Sequence, residues 1–297
     1  MRKHQLRYLF LALAIAIIFI SCVSQRKVTS AKNKLTVIDS QFQKYDKTLA
    51  ELNEQRKNKQ EQNEIDDTAS ARIQKFIDST NADIDSLLTQ HSILIGTTIV
   101  NITDWKRLIK SLSFSQKTSK KINGMVLLIT EQVYQNTVVN LDQDLLFESG
   151  QYRVTKAVAA AIGKYFEPAA KEIDLFTKKY PNFPLSLVIT AKGYADGMSI
   201  GEGTALYKDL TERLKLSGST PDNKELNKEL SRARAEEIIA LFKKFAARWS
   251  GKRSYIKNIL YFYEGKGEVF PNPKISDYKT DDSRRRVVLL YWSVFPE

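Results

Sequence analysis

Between residues 35 and 52 the apolar side chains fall at Leu35, Ile38, Phe42, Tyr45, Leu49 and Leu52, in alternating steps of three and four. That alternation is the a/d seam of a coiled coil, and it excludes a strand, whose side chains change face at every residue. The pattern lapses through a polar stretch from Asn53 to Asp67, then resumes in phase at Ile73, Ile77, Ile84 and Leu87. Two structures fit: one long helix, or a helical hairpin that turns in the polar stretch. The retained phase favours one helix, which would span on the order of 80 Å at 1.5 Å per residue. Residues 30–91 therefore read as a helical coiled-coil spacer, whose role is to hold the C-terminal half of the chain away from an anchor or to oligomerise the chain.

An anchor precedes it. Arg2, Lys3 and Arg7 stand before an unbroken apolar run from Tyr8 to Ile20, which ends at Ser21-Cys22. A basic start, a short apolar core and a small residue form the grammar of a secretory signal. At about 13 residues the run is shorter than the roughly 18 of a transmembrane helix. No Asp or Glu lies between Tyr8 and Val23, so the segment lacks the intramembrane acid that proton-driven machinery needs. Phe19-Ile20-Ser21-Cys22 resembles the lipobox of bacterial lipoproteins, which implies cleavage before Cys22 and lipid on its sulfur; the alternative is an uncleaved signal anchor.

The rest of the composition mainly excludes. The 297 residues suit about two domains, and a hydrophobic share of 42% is enough for a packed core. The net charge of +12 suggests an acidic partner, but the cations are spread along the chain and form no nucleic-acid module. With one cysteine and two histidines, His4 and His91, no disulfide, metal set or Ser-His-Asp triad can be assembled. The glycine pairs at Gly201/Gly203 and Gly265/Gly267 lack phosphate-loop spacing. Neither an enzyme nor a cofactor is expected.

Residues 92–120 have mixed patterns and read as a connector without an assigned structure. From residue 121 onward, strand and helix signals alternate. Met125–Thr130 and Thr137–Leu141 are β-rich, and Leu145-Leu146-Phe147 leads into Gly150. Val154, Ala157, Val158, Ile162 and Phe166 have helical spacing up to Pro168, which suits the first turn of a further helix. Leu185–Thr190 reads as a strand. Helices come next over Ala205–Leu216 and along Leu226, Leu230, Ile238, Leu241, Phe245 and Trp249, with a strand at Tyr255–Tyr263. Arg286–Val294 is apolar on both faces and therefore a central strand. The alternation predicts an α+β fold, helices packed on a mixed sheet.

Two residues break the local rules. Asp196 sits just past a strand end between glycines, and Arg234 lies on the row between Leu230 and Ile238 that should face the core. A carboxylate and a guanidinium so placed can hold a zwitterion, although a turn-forming Asp and a solvated Arg fit the same spacing.

Phe147 with Gly150, Gly193-Tyr194-Ala195-Asp196, Asn227 through Leu230-Ser231 to Arg234-Ala235, Gly265-Lys266-Gly267-Glu268 and Arg285-Arg286-Val287 stand in an order that resembles the OmpA-like C-terminal domain family. The resemblance covers residues 121–297. It implies a helix-on-sheet sandwich that binds peptidoglycan non-covalently through diaminopimelate. Asp196 would take the ammonium and Arg234 the carboxylate, Asn227 would support them, and the backbone at Tyr194 and Ala195 would line the pocket. The chain departs from the family in a longer Asp196–Asn227 stretch and in Arg284, where the family has Asn.

Together these features predict an envelope protein of a Gram-negative bacterium. It would be an outer-membrane lipoprotein facing the periplasm, or else an inner-membrane anchored one, tethering the membrane to peptidoglycan. The alternative is a structural subunit of an envelope machine such as a secretion apparatus, the domain serving mainly for contacts with other envelope proteins.

Overall fold

The computed structural model describes residues 23–99, 101–148, 150–215, 220–249 and 256–297; Cys22 and the apolar run before it lie outside them. The chain divides into two compact units, one of residues up to Glu51 with Lys75–Leu127, the other of Leu52–Gln74 with Leu128–Glu297.

Among the described residues the first unit is made of segments of three helices, α1 (Gln25–Glu61), α2 (Asp67–Gly96) and α3 (Ile102–Tyr134). The expected seam is buried at Leu35, Ile38, Phe42 and Leu49 on α1 and at Ile77, Ile84 and Leu87 on α2. A third seam comes from α3, where Leu108, Leu112, Ser115, Ser119, Ile122 and Val126 are buried in steps of four and three. The two serines hide that seam from a hydrophobicity pattern. Each has a polar partner: Ser115 Oγ lies 2.6 Å from His91 Nε2, and Ser119 donates to Gln41 Oε1 at 3.1 Å. His91 Nδ1 bonds the Asp39 carboxylate in turn. A shifted alignment of the helices would leave these buried groups unpaired, so the layer fixes register. The segment 92–120 is thus mostly helix, and residue 121 lies within α3.

The single long helix does not form. The chain turns between α1 and α2, with Asn63 in the left-handed region (φ 54°). Asp66 then caps α2 by accepting from the Thr68 and Ala69 N–H groups at 2.9 and 3.2 Å. Phase survives the turn because Leu52 and Ile73 happen to be separated by a whole number of heptads. Where the apolar seam lapses, Arg56 takes its place. The buried guanidinium donates to Ser70 Oγ at 2.6 Å and Gln74 Oε1 at 2.7 Å, tying the two arms of the hairpin tip together.

That tip belongs to the second unit, built on a four-stranded mixed sheet. Strands β1 (Val138–Asp142), β2 (Leu185–Gly193), β3 (Ile256–Gly265) and β4 (Val287–Pro296) lie in the order β1-β4-β2-β3. β4 is antiparallel to both neighbours, and β2 is parallel to β3. The expected strand at Met125–Thr130 is instead the end of α3, where Leu128, Ile129 and Val133 continue the helical seam; packing overrides the β-branched composition.

Among the described residues this unit also has five α-helices: α4 (Gln143–Leu146), α5 (Lys156–Ala161), α6 (Gly163–Lys179), α7 (Ala205–Leu214) and α8 (Asn223–Trp249). The break expected at Pro168 falls earlier, at Ile162, and Pro168 sits inside α6. α6 and α8 cover one face of the sheet; Phe166 of α6 meets Phe242 of α8 (5.1 Å between ring centroids), and Phe176 of α6 meets Trp292 of β4 (6.2 Å).

The other face of β2 and β4 carries the hairpin tip. Tyr291 Oη donates to Asn63 O at 2.9 Å, Thr190 Oγ1 to Asp66 Oδ1 at 3.1 Å and Lys192 Nζ to Asp67 Oδ2 at 2.8 Å. This explains why β4 is apolar on both faces: helices cover one side and the hairpin tip the other.

Candidate functional site

β2 ends at Gly193, opposite Gly265 at the end of β3. α8 crosses here against bare backbone. A Cβ at Gly193 would stand 2.0 Å from Ser231 O, and one at Gly265 2.3 Å from Lys228 O. Glycine is required by this close approach. Ser231 seals the crossing by accepting from the Gly267 N–H at 2.9 Å. The two glycines thereby fix how near α8 lies to the loop after β2.

That loop is held by its backbone. The N–H groups of Tyr194, Ala195 and Gly197 donate to Val287 O, Gly267 O and Thr280 O at 2.9, 2.7 and 2.7 Å. Asp196 follows with both oxygens engaged: Oδ1 accepts from the Met198 N–H at 3.2 Å, and Oδ2 from Arg286 Nη1 at 2.8 Å. Arg286 also grips Asp144, by Nε to Oδ1 at 2.8 Å and Nη2 to Oδ2 at 2.6 Å. The guanidinium holds the Asp144 carboxyl below the usual carboxylate range, against the partial burial that would raise it.

On α8, Asn227, Leu230 and Arg234 share one face, set by helical spacing. Asn227 Nδ2 donates to Glu268 Oε1 at 2.9 Å and Met198 O at 3.1 Å. Arg234 is only 7% exposed. Its Nε donates to Gln151 O at 3.0 Å, its Nη1 to Gln143 Oε1, and its guanidinium lies 5.4 Å from the centre of the Phe147 ring. Burial lowers its pKa to about 10, with the charges of Asp144 and Asp196 working the other way, so it remains cationic at neutral pH. Nη2 has no partner among the described residues and is free to donate.

These side chains converge. Ala195, Asp196, Asn227 and Arg234 line one cavity of about 660 Å³, together with Asp144, Phe147 and Arg286. The cavity offers a carboxylate on one wall and an uncommitted guanidinium edge on another, a pairing suited to a ligand carrying both charges. Of the residues expected at the site, Tyr194 does not line the cavity: its ring is buried in a cluster with Val287, Leu289 and Tyr291, its N–H is taken by Val287 O, and its carbonyl accepts from Gln143 Nε2 at 2.8 Å. Arg285 is also structural, donating to Glu268 O at 2.6 Å and stacking 5.1 Å from the Phe270 ring centre.

Sequence reasoning missed Asp144 and Gln143. Gln143 joins the parts of the site: its amide nitrogen also donates to Val287 O at 2.8 Å, while its oxygen takes Arg234. Nothing in its local sequence marks it, since the partners come together only through the sheet. Asp144 stands two residues after β1 and could have been found as the acid needed by the second arginine of the Arg285-Arg286 pair.

The Asp196–Asn227 stretch forms part of the wall. Ile200, Gly201, Thr204 and Leu206 line the cavity, and α7 packs on α8 through Leu210, Leu226 and Leu230. Arg213 of α7 reinforces it, donating to Glu229 Oε1 at 2.8 Å and Glu236 Oε2 at 2.6 Å. Among the described residues no group of three or more His, Cys, Asp or Glu side chains gathers to hold a metal ion. Compared with known proteins, the chain matches no family model and no curated protein.

Proposed function

We propose that the chain is an envelope protein anchored at Cys22, whose second unit is an OmpA-like domain that binds peptidoglycan through diaminopimelate. The observation that carries the reading is the convergence of Asp196 and Arg234, far apart in sequence, on one cavity. Asp196 takes the ammonium of the zwitterion and Arg234 Nη2 its carboxylate, with Asn227 bracing the wall between them. Burial strengthens the Arg234 contact, because a guanidinium already out of water gains more from an incoming carboxylate than an exposed one. The sequence motifs around Gly193, Asn227 and Gly265 support the same reading. Their glycines and serine make the close crossing of α8 over the strand ends, which brings Arg234 to the loop.

The resulting role is tethering, with no bond made or broken. A lipid or signal anchor at residue 22 holds one end on a membrane, and the domain holds the wall. The direct test is calorimetric titration of soluble diaminopimelate into the full chain in detergent. Saturable binding that disappears in Asp196→Ala, with the variant's circular dichroism unchanged, supports the proposal. Absence of binding by the folded wild type rejects it and moves the function to protein contacts within an envelope assembly.

A further inference from the structure

A second cavity, of about 620 Å³, lies in the same unit, beside the hairpin tip and the first strand. Its volume falls within the ~300–1,000 Å³ of small-molecule sites. Five side-chain amides line it: Gln62, Asn63, Asn136, Asn140 and Asn272. The amides of Gln62 and Asn140 have no partner among the described residues. Asn63 uses only its nitrogen, donating to Pro271 O at 3.1 Å, while Asn136 and Asn272 use only their oxygens, accepting from the N–H groups of Val138 and Lys274.

Three of the charges around the cavity are already paired, and the fourth, Asp142, accepts from the Asp144 N–H at 2.9 Å. Glu64 is joined to Lys274 at 3.1 Å, and Arg284 to Asp282 at 2.6 Å and Asp277 at 3.2 Å. The floor is apolar, made of Val138, Val287 and Leu289. A planar amide presents a donor and an acceptor side by side, the match for neighbouring hydroxyls or for an acetamido group. An apolar floor below such a rim suits the C–H face of a pyranose ring. Tyr278 contributes no stacking platform, because Phe270 and Arg284 already pack on its ring at 4.8 and 5.3 Å. Recognition here rests on the amides.

The placement narrows the ligand further. Asp142 lines this cavity and Asp144 the other, while Arg284 lines this one and Arg286 the other. The two sites thus flank the same short stretches at the end of β1 and the start of β4. In peptidoglycan the peptide stem that carries diaminopimelate is bonded to a chain of N-acetylated hexosamines. We propose that the amide-lined cavity is a separate binding site for that glycan; the choice of this sugar class rests on the peptidoglycan reading, while the cavity's fit to a neutral carbohydrate does not.

The test uses the full chain in detergent and a soluble tetramer of N-acetylglucosamine, which carries no peptide, followed by calorimetry and by NMR shifts of the asparagine side chains. Asn140→Leu and Gln62→Ala should each weaken the tetramer about ten-fold, the scale of losing hydrogen bonds to an uncharged ligand. Neither amide has an internal partner, so folding is not at stake, and circular dichroism verifies it. Asp196→Ala should leave tetramer binding within about two-fold, since additivity holds for separate sites. Tetramer binding in a protein that ignores diaminopimelate would support this site and overturn only the stem-pocket reading. Failure of the tetramer to bind, or equal binding by wild type, Asn140→Leu and Gln62→Ala, would overturn the glycan site. So would capture of an extended peptide along the edge of β1 in place of the sugar.

Discussion

Arg286 holds the Asp196 carboxylate at 2.8 Å while gripping both oxygens of Asp144 at 2.8 and 2.6 Å. One guanidinium therefore positions two acids that line the cavity, and the consequence can be read by titration. Because Arg286 depresses the Asp144 pKa in the folded state, the pair adds stability above the ordinary carboxylate range near 3.9. That contribution is lost as the pH falls through the lower, folded value. In Arg286→Ala the Asp144 carboxyl should titrate higher than in the wild type by carbon-detected NMR, Arg234 alone then lowering it against burial. An Asp144 pKa that stays as depressed as in the wild type would show that Arg286 is not the cause.

Lys192 is 2% exposed, set between Asp67 at 2.8 Å and the Tyr291 ring at 5.5 Å. Partial burial would raise Asp67, but its bonds to Lys192, Gln60 and Lys266 outweigh that and hold it at about 2. Removing one partner of such a pair strands the other. Asp67→Asn should cost about 1–2 kcal/mol in denaturant unfolding, discounted from larger buried-pair values because the carboxylate is half exposed. Lys192→Met should be nearly neutral, replacing the charge by apolar volume against Tyr291. In Asp67→Asn the loss of stability between pH ~4 and ~2 should also flatten. Equal effects of the two substitutions would contradict this reading of the pair.

Gly193 and Gly265 make the crossing that brings α8 to the site. Gly193→Ala sets a methyl 2.0 Å from Ser231 O, and α8 must move to admit it. A loss of at least about 2 kcal/mol is expected, with diaminopimelate binding falling more steeply than stability. Gly96→Ala, with nothing within 4 Å of the new Cβ, is the control.

How much of this was legible depended on whether a partner was local. The a/d seams of α1 and α2 are periodicities within one segment, and β4 declared itself central by being apolar on both faces. The third seam was not legible, because Ser115 and Ser119 occupy its middle and are satisfied only through His91 and Gln41 on other helices. The hairpin was obscured by the accident that its turn, at Asn63 and the Asp66 cap, preserves heptad phase. At the site, Asp196 and Arg234 stood out because each broke a local rule. Gln143 and Asp144 broke none, and only the pairing of β1 with β4 brings them to the arginines.

Arg234 tests geometry apart from charge. Arg234→Lys keeps a cation but loses the planar fork, and its shorter reach gives up Gln151 O or the ligand. Diaminopimelate affinity should drop about ten-fold with little change in stability. Leu210→Ala acts from the far side: this side chain is fully buried between α7 and α8, and its truncation should cost about 2–4 kcal/mol and loosen the wall formed by Ile200 and Leu206.

The most direct measurement is co-sedimentation of the full chain in detergent with purified diaminopimelate-type peptidoglycan, comparing wild type, Asp196→Ala and Arg234→Ala with soluble diaminopimelate as competitor. Wild type should pellet with the wall and be released by the competitor, while both variants should stay in solution with their circular dichroism intact. Wild type that stays in solution, or variants that pellet as wild type does, would contradict wall binding through the Asp196–Arg234 pocket.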